Sequence, residues 1–263
     1  MKKNSKLQPV KSILKVSEVS DFTMVESFKA LRTNIMFSLP GNVGCRKLLF
    51  TSSLSGEGKT TTTVNLAVSL AETDTRVLLI DADMRRPTVH RYFDIKSRSR
   101  HGLSNLLTGA NDIEECMFPS TEHPNLFVIP SGVLPPNPSE LLGSAAMKSL
   151  LDGLESSFDY IIIDTPPVNL VSDALSLVSM VNGVAVVVAG NKSKMPDVQK
   201  AVTTLKFAGA NLLGFVLNRV SSKSYGYSKK SYQYTYSSIP SSDTDGQKIR
   251  VKNEHTDASD TKK

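Results

Sequence analysis

Short apolar runs alternate with helical patterns through the middle of the chain. The runs are rich in Leu, Ile and Val and nearly continuous, which is typical of parallel strands covered by helices on both faces. The predicted strands are Lys47–Thr51, Val77–Ile80, Leu126–Ile129, Tyr160–Ile163, Val184–Ala189 and Leu212–Leu217. Helical patterns lie between them at Lys59–Glu72, Ser139–Leu154, Asp173–Val181 and Asp197–Phe207. This alternation predicts an α/β fold, a doubly wound and mainly parallel sheet with helices on both faces.

A further helix is predicted ahead of the first strand. Val25, Phe28, Leu31, Ile35 and Met36 recur at helical spacing, which favours an amphipathic helix entering the domain.

Composition divides the chain into three parts. The net charge is +6, and five lysines precede the first acidic residue, Glu18. From Ser221 onward Ser, Tyr, Lys and Asp replace almost all aliphatic residues, so no packed core is expected there. We predict a flexible basic arm at residues 1–20, a folded domain at 21–220 and a flexible tail at 221–263. The arm is either solvated or held against anionic lipid or an acidic partner, and no nucleic acid is expected because no binding motif accompanies the charge.

The sequence favours a cytoplasmic protein. It lacks both a run of about 20 apolar residues, which a membrane helix needs, and a secretion signal. Cys45 and Cys116 have no metal-ligand spacing, and we expect both to be reduced thiols.

A phosphate-binding loop follows the first strand. The segment from Ser53 to Thr60 reads Ser-Leu-Ser-Gly-Glu-Gly-Lys-Thr, with Ser53 in place of the usual first Gly. Small residues let backbone N–H groups surround a phosphate, and the helix starting near Lys59 directs its positive dipole end toward it. Lys59 would reach the β- and γ-phosphates of ATP, and the Thr60 hydroxyl would bind Mg²⁺. A Gly-rich loop without a ligand is the alternative.

Carboxylates follow two other strands. Asp81 and Asp83 end the second strand and precede Arg85, whereas Asp164 ends a buried run before Pro166 and Pro167. Open α/β sheets bind ligands at the carboxyl ends of their strands, and Asp164 suits the Walker B role of holding Mg²⁺ through a water. A helix cap with a surface salt bridge is the alternative for Asp81 and Asp83. Asn218, after the last strand, either hydrogen-bonds an adenine edge or caps a loop.

These motifs together resemble the bacterial tyrosine kinases (BY-kinases) of the CpsD/CapB type, which act in capsular and exopolysaccharide synthesis. The resemblance spans roughly residues 20–240 and includes the phosphate loop, the Asp81-x-Asp83-x-Arg85 and Asp164-x-x-Pro167 motifs and the segment 134–142. It implies a P-loop kinase domain that uses ATP and Mg²⁺. It also implies that Asp81 accepts the proton of the incoming tyrosine hydroxyl, and that Asp83 orients metal or substrate; the residues alone do not separate these two roles.

The predicted site residues fall into three groups. The catalytic residues are Lys59, Asp81, Asp83 and Asp164. The metal-binding residues are Thr60, Asp81 and Asp164. The ATP-binding residues are Ser55, Gly56, Glu57, Gly58, Lys59, Thr60, Thr61, Arg85 and Asn218.

The resemblance also implies a ring-shaped homo-oligomer. Glu26, Lys29 and Arg32 lie three residues apart, on nearly one face of the entry helix. They match the family's Glu-x-x-Arg-x-x-Arg contact pattern, except that Lys29 replaces an Arg and offers a point charge instead of a planar fork. A ladder of charges within the helix is the alternative.

Five of the seven tyrosines lie in the tail, within twelve positions. We predict that they are phosphorylated in trans by a neighbouring subunit, and that other proteins are also phosphorylated on tyrosine. The resemblance further implies a membrane-anchored activator, a polysaccharide co-polymerase that recruits the kinase to the inner face of the membrane. The predicted autophosphorylation sites are Tyr225, Tyr227, Tyr232, Tyr234 and Tyr236.

Two other functions are considered. ParA/MinD-type ATPases share the fold, but they carry an extra Lys where this chain has Leu54. The second is a non-catalytic nucleotide sensor that docks onto a membrane polysaccharide-export protein.

Overall fold

The computed structural model describes residues 22–39, 44–93, 95 and 101–220. The helices are α1 (Phe22–Ser38), α2 (Lys59–Ala71), α3 (Leu103–Leu107), α4 (Ile113–Cys116), α5 (Pro138–Leu142), α6 (Ala145–Leu154) and α7 (Met195–Phe207). The strands are β1 (Arg46–Ser52), β2 (Val77–Asp81), β3 (Phe118–Pro119), β4 (Leu126–Ile129), β5 (Tyr160–Asp164), β6 (Gly183–Ala189) and β7 (Leu212–Asn218). Two 3₁₀ helices, Val89–Arg91 and Leu175–Met180, complete the described elements.

The strands form one sheet in the order β3-β4-β2-β5-β1-β6-β7. Every neighbouring pair is parallel except β3 and β4. The prediction of a doubly wound, mainly parallel α/β sheet is therefore confirmed. All six predicted strands are present to within a residue at each end, whereas β3 was missed because two residues carry no periodic signal.

The sheet separates two apolar cores. Along β1, Leu48 and Phe50 pack into one core, and Leu49 packs into the other. Strands β2 and β5 are buried along their whole length, as expected for central strands covered on both faces. The apolar runs therefore place the loops that follow β1, β2 and β5 at a rigid edge of the sheet.

Two helical predictions need correction. The segment predicted as one helix at Ser139–Leu154 is broken into α5 and α6, because the Ser144 hydroxyl accepts a hydrogen bond from Met147 N at 3.2 Å and starts a new helix. The segment predicted as a helix at Asp173–Val181 contains only the 3₁₀ helix Leu175–Met180.

Helix α1 is present, but only part of its predicted apolar face is buried. Ile35 is 4% exposed, whereas Met36 is 48% exposed, because adjacent residues on a helix point about 100° apart. None of the helices in the described ranges is long and apolar enough to cross a membrane.

The predicted oligomerisation residues of α1 make contacts within the chain. Lys29 Nζ donates to Glu26 Oε1 at 2.8 Å, and Arg32 Nη1 donates to the Ser69 carbonyl of α2 at 2.5 Å. Their role between subunits stays a prediction. The same holds for the arm at 1–20 and the tail at 221–263, which lie outside the described residues.

Candidate active site

The register of the sheet brings the three sequence motifs to one edge. Strands β2 and β5 are neighbours, and Asp81 stands directly beside Asp164. Strand β1 lies on the other side of β5, with Phe50 beside Asp164. Because parallel strands end at the same edge, the phosphate loop and both carboxylate motifs meet there.

The phosphate loop needs glycine at two of its positions. Gly56 and Gly58 have φ angles of 77° and 92°, which side chains rarely tolerate. A Cβ on Gly58 would also lie 1.8 Å from Asn218 Nδ2. Helix α2 begins directly afterwards, at Lys59, so the loop amides and the positive end of the helix dipole offer an anion site.

Lys59 is the central cation of the site. Its Nζ lies 2.7 Å from Asp164 Oδ1 and 3.8 Å from Asp83 Oδ2. Thr60 Oγ1 donates to the other oxygen of Asp164 at 2.6 Å. The side chains of Lys59 and Asp164 are 7% and 1% exposed, so this contact is made largely out of water.

Thr60 and Asp164 fit a magnesium site. A hydroxyl and a carboxylate are hard oxygen ligands, and Mg²⁺ in nucleotide enzymes is held by one or two protein carboxylates together with substrate phosphates. Among the described residues, no group of three His, Cys, Asp or Glu side chains is arranged to hold a metal. Thr60 and Asp164 are the residues that would hold Mg²⁺, together with the phosphates of a nucleotide.

Asp81 and Asp83 have different surroundings. Asp81 is fully buried, and its carboxylate accepts hydrogen bonds from the amides of Asp83, Thr88 and Val89 at 3.2, 3.1 and 3.0 Å. Asp83 lines the cleft next to the phosphate loop. The geometry therefore makes Asp81 the anchor of the loop after β2 and presents Asp83 to a bound molecule.

Burial and the nearby Asp164 raise the pKa of Asp81 to about 8. The folded protein then holds this proton between about pH 4 and pH 8, whereas the unfolded chain loses it. Without metal and nucleotide, stability should fall as pH rises through this window, by up to about 1.4 kcal/mol per pH unit. Urea unfolding in the presence of a chelator measures the free energy of unfolding at pH 5 and at pH 7.5. Between these two pH values it should fall less for Asp81→Asn than for wild type. Equal falls in the two proteins would contradict the prediction.

Glu57 does not present its side chain to the cleft. It is 1% exposed. Its carboxylate accepts hydrogen bonds from Ser53 Oγ and Leu54 N at 2.8 Å, and a further hydrogen bond from Ser193 Oγ. Its predicted contact with ATP is thus restricted to its backbone amide. Sequence reasoning missed Ser193, because no pattern links residues 136 positions apart.

Asn218 packs against the phosphate loop. Its Nδ2 donates to the Glu57 carbonyl at 3.2 Å, and its Oδ1 accepts from Arg219 N at 2.8 Å. The structure therefore shows the loop-capping alternative, and an adenine contact stays a prediction.

The site opens into a cleft of about 560 Å³. Eight of the predicted site residues line it, whereas Glu57, Asp81, Asp164 and Asn218 are not among the lining residues. The tail tyrosines lie outside the described residues. The predicted residues in the lining are Ser55, Gly56, Gly58, Lys59, Thr60, Thr61, Asp83 and Arg85; the lining residues that sequence reasoning missed include Arg86, Thr88, Arg91, Tyr92 and Arg219.

Arg85 is held at the cleft by a buried carboxylate. Its Nε and Nη2 donate to Asp173 at 2.9 and 3.0 Å, and Ser139 Oγ donates to the same carboxylate at 2.5 Å. Asp173 is completely buried. The two parallel hydrogen bonds fix the orientation of the Arg85 guanidinium, and the carboxylate of Asp173 pairs with its positive charge.

Replacing Arg85 with Met should destabilise the fold, because it leaves the Asp173 carboxylate buried without its cation. Since Arg85 is 43% exposed, we expect a loss of about 2 kcal/mol, below the range for fully buried pairs. Urea unfolding measures it, with Arg86→Met, an exposed neighbour, as the control. Equal losses in both variants would argue against a specific role for the Arg85–Asp173 pair.

The fold and the loop define a P-loop nucleotide-binding domain. A family model described as an AAA domain matches residues 46–209. This range begins with β1 and ends just before β7, so it contains the phosphate loop and both carboxylate motifs.

Curated relatives narrow the class further. A putative tyrosine-protein kinase CapB from Staphylococcus aureus is 38% identical over 219 residues, which cover 83% of this chain and 92% of that protein. The tyrosine-protein kinase CpsD from Streptococcus agalactiae is 40% identical over 195 residues, which cover 74% and 83%. The chain belongs to this family of bacterial tyrosine-protein kinases, and the resemblance seen in its motifs is confirmed.

Solved structures agree with this assignment. The crystal structure of the chimerical protein CapA2B2 superposes with a TM-score of 0.75 at 38% identity, covering 80% of this chain and 91% of that one. The cell division ATPase MinD from Pyrococcus furiosus has a TM-score of 0.57 at 29% identity, covering 72% and 75%. The fold is thus shared with an ATPase, and the higher similarity is to the kinase family.

Proposed function

We propose that the chain transfers the γ-phosphate of ATP to tyrosine, and that its own tail tyrosines are substrates in trans. The convergence of Lys59 and Asp83, which line the cleft, with Asp164, which pairs with Lys59, carries this proposal, because phosphoryl transfer depends mainly on positioning and on neutralising charge. Family membership supports tyrosine as the acceptor, since the phosphate loop by itself does not distinguish a tyrosine hydroxyl from water.

The proposed chemistry assigns a task to each group. The loop amides and Lys59 would hold the β- and γ-phosphates, and Thr60 and Asp164 would hold Mg²⁺, whose positive charge would offset that of the phosphates. The acceptor phenol oxygen bonds to the γ-phosphorus as the bond to the β-phosphate oxygen breaks. Its proton passes to Asp83, the aspartate of the β2 motif that lines the cleft. The resemblance instead implies that Asp81 is the base. The side chain of Asp81 already accepts hydrogen bonds from three backbone amides.

The proposal includes partners and a biological role. As a member of the family, the chain would assemble as a ring through Glu26, Lys29 and Arg32, and a membrane-anchored polysaccharide co-polymerase would recruit and activate it. It would thereby regulate capsular or exopolysaccharide synthesis and export. Other proteins phosphorylated on tyrosine would be further substrates.

A mixing experiment tests both the activity and its direction. One chain carries Lys59→Met and keeps its tail, and the other keeps its site but has the five tail tyrosines replaced by Phe. After incubation with Mg²⁺, ATP and the activator's cytoplasmic segment, mass spectrometry should find phosphotyrosine on the tail of the Lys59→Met chain. Labelling of wild type without labelling in the mixture would indicate transfer within one chain.

ATP hydrolysis is the second candidate, because the MinD ATPase shares the fold. The same incubation separates the two activities. Phosphate release without phosphotyrosine on any chain would favour the ATPase and contradict the kinase proposal.

A further inference from the structure

The cleft contains more positive charge than its ion pairs account for. Lys59, Arg85, Arg86, Arg91 and Arg219 all line it, and Asp83 is the one carboxylate among the lining residues. Lys59 is paired with Asp164 and Asp83, and Arg85 is paired with Asp173. Within the described part of the chain, the ion pairs of the cleft leave Arg86, Arg91 and Arg219 available to a ligand. Arg219 follows β7, whereas Arg86 and Arg91 both follow β2, and we call Arg86 and Arg91 the rim arginines.

The rim arginines are attached to a backbone segment whose amides bond to Asp81 and Asp83. The amide of Arg86 donates to Asp83 Oδ1 at 3.0 Å. Arg91 ends the 3₁₀ helix Val89–Arg91, whose first amide donates to the buried Asp81 at 3.0 Å. The segment that carries Asp83 thus also carries both guanidiniums, so they stand on the side of the cleft where the acceptor would meet Asp83.

Before phosphorylation, the tail around the tyrosines is positively charged, like the rim arginines, so the two repel each other. Lys229 and Lys230 lie among the tail tyrosines, Lys223 lies two residues before the first of them, and no acidic residue lies among them. A phosphotyrosine reverses the local charge by adding about −1.5 to −2. The tyrosines are also spaced by two, as in Tyr232, Tyr234 and Tyr236. In an extended segment, residues two apart project from the same side about 7 Å apart.

We propose that the rim arginines form a phosphotyrosine subsite, which binds a tyrosine already phosphorylated two positions away from the acceptor. This inference rests on the proposed kinase function. Guanidinium forks suit phosphate oxygens, so the first phosphate in a tail would promote the second. Phosphorylation of the cluster is then self-accelerating and leads to tails with several phosphates.

The test compares peptides that span residues 230–238, with Tyr232→Phe and Tyr236 as the acceptor. One peptide carries phosphotyrosine at Tyr234, and its match carries Tyr234→Phe. The enzyme is the full chain with its five tail tyrosines replaced by Phe, assayed in one preparation with Mg²⁺, ATP and the activator segment. We expect kcat/KM for the phosphorylated peptide to exceed that of the Tyr234→Phe peptide by at least about tenfold. This is the size of effect expected for a charge-assisted hydrogen bond. The preference should shrink at high salt.

Variants of the rim distinguish this role from others. Arg86→Gln with Arg91→Gln should abolish the preference and leave both KM for ATP and labelling of the unphosphorylated peptide unchanged. Lys200→Gln removes an exposed cation of α7 and should keep the preference. A raised KM for ATP in the double variant would instead assign the rim to ATP and overturn the proposal.

Failure of the inference differs from failure of the kinase function. Equal labelling of both peptides would overturn the phosphotyrosine subsite while the kinase proposal stands. If no peptide is labelled, the kinase proposal itself fails. Anisotropy of the two peptides, fluorescently labelled and without ATP, still decides the subsite in that case: equal affinity for wild type and the double variant overturns it.

Discussion

Lys59→Met should reduce tyrosine phosphorylation by about 10³-fold or more. The ammonium is the cation in contact with Asp164 and Asp83, and it neutralises the charge that develops on the β- and γ-phosphates during transfer. Without it, phosphates would enter a site that already holds the carboxylates of Asp83 and Asp164. Incorporation of labelled phosphate, with tyrosine confirmed by mass spectrometry, measures the loss.

A matched pair of controls shows that charge placement causes this loss. Lys59→Arg keeps the charge but cannot place a planar guanidinium in the space of a compact ammonium, so we expect it also to lose most activity. Lys200→Gln removes a lysine from an exposed part of α7 and should be as active as wild type. Thermal unfolding should show that Lys59→Met still folds, because Asp164 can bind a proton once its partner is gone. Activity within tenfold of wild type in Lys59→Met would contradict the assigned role.

Asp83→Asn should lower kcat by about 10²- to 10³-fold, the range for loss of a general base. Asp83 is the aspartate of the β2 motif that lines the cleft, and the amide of Asn cannot accept the phenolic proton. The variant also removes a carboxylate 3.8 Å from Lys59, so affinity for ATP should be unchanged or slightly higher. Single-turnover transfer at saturating ATP measures the change.

Asp81→Asn is the comparison that separates the two aspartates. Because Asp81 is buried and accepts three amides, its replacement should change stability and the placement of the loop after β2. We expect a smaller loss of kcat than for Asp83→Asn. A larger loss at Asp81 would restore it as the base and make Asp83 the orienting group.

The strands and the positions of the motifs could be predicted from local patterns. Continuous apolar runs predicted six strands, because a strand covered on both faces, such as β2 or β5, has no polar face. The apolar run of β7 also predicted a strand, although Phe215 and Leu217 are exposed. Carboxylates at the ends of two such runs, Asp81 and Asp164, predicted a shared edge, which the register confirms. Gly56 and Gly58 indicated a tight loop, and their positive φ angles agree.

Contacts between distant segments could not be predicted in this way. Asp173 lies 88 residues from Arg85, and the carboxylate of Glu57 meets Ser193 across 136 residues. Each contact depends on which loops the folded sheet brings together. The different surroundings of Asp81 and Asp83 could not be predicted either. Side chains alternate between the two faces of a sheet only within a strand, and β2 ends at Asp81, so the pattern does not say where Asp83 points.

The sequence by itself determined the class of fold, the phosphate loop and the family, because these depend on neighbouring residues and on spacings within single elements. Tertiary structure alone decided which groups face the cleft: Asp83, Arg86 and Arg91 line it, whereas Asp81 and Glu57 do not. The physical reason is that burial and pairing are properties of the packed chain. They follow from strand register and loop packing, which bring together residues that no local pattern connects.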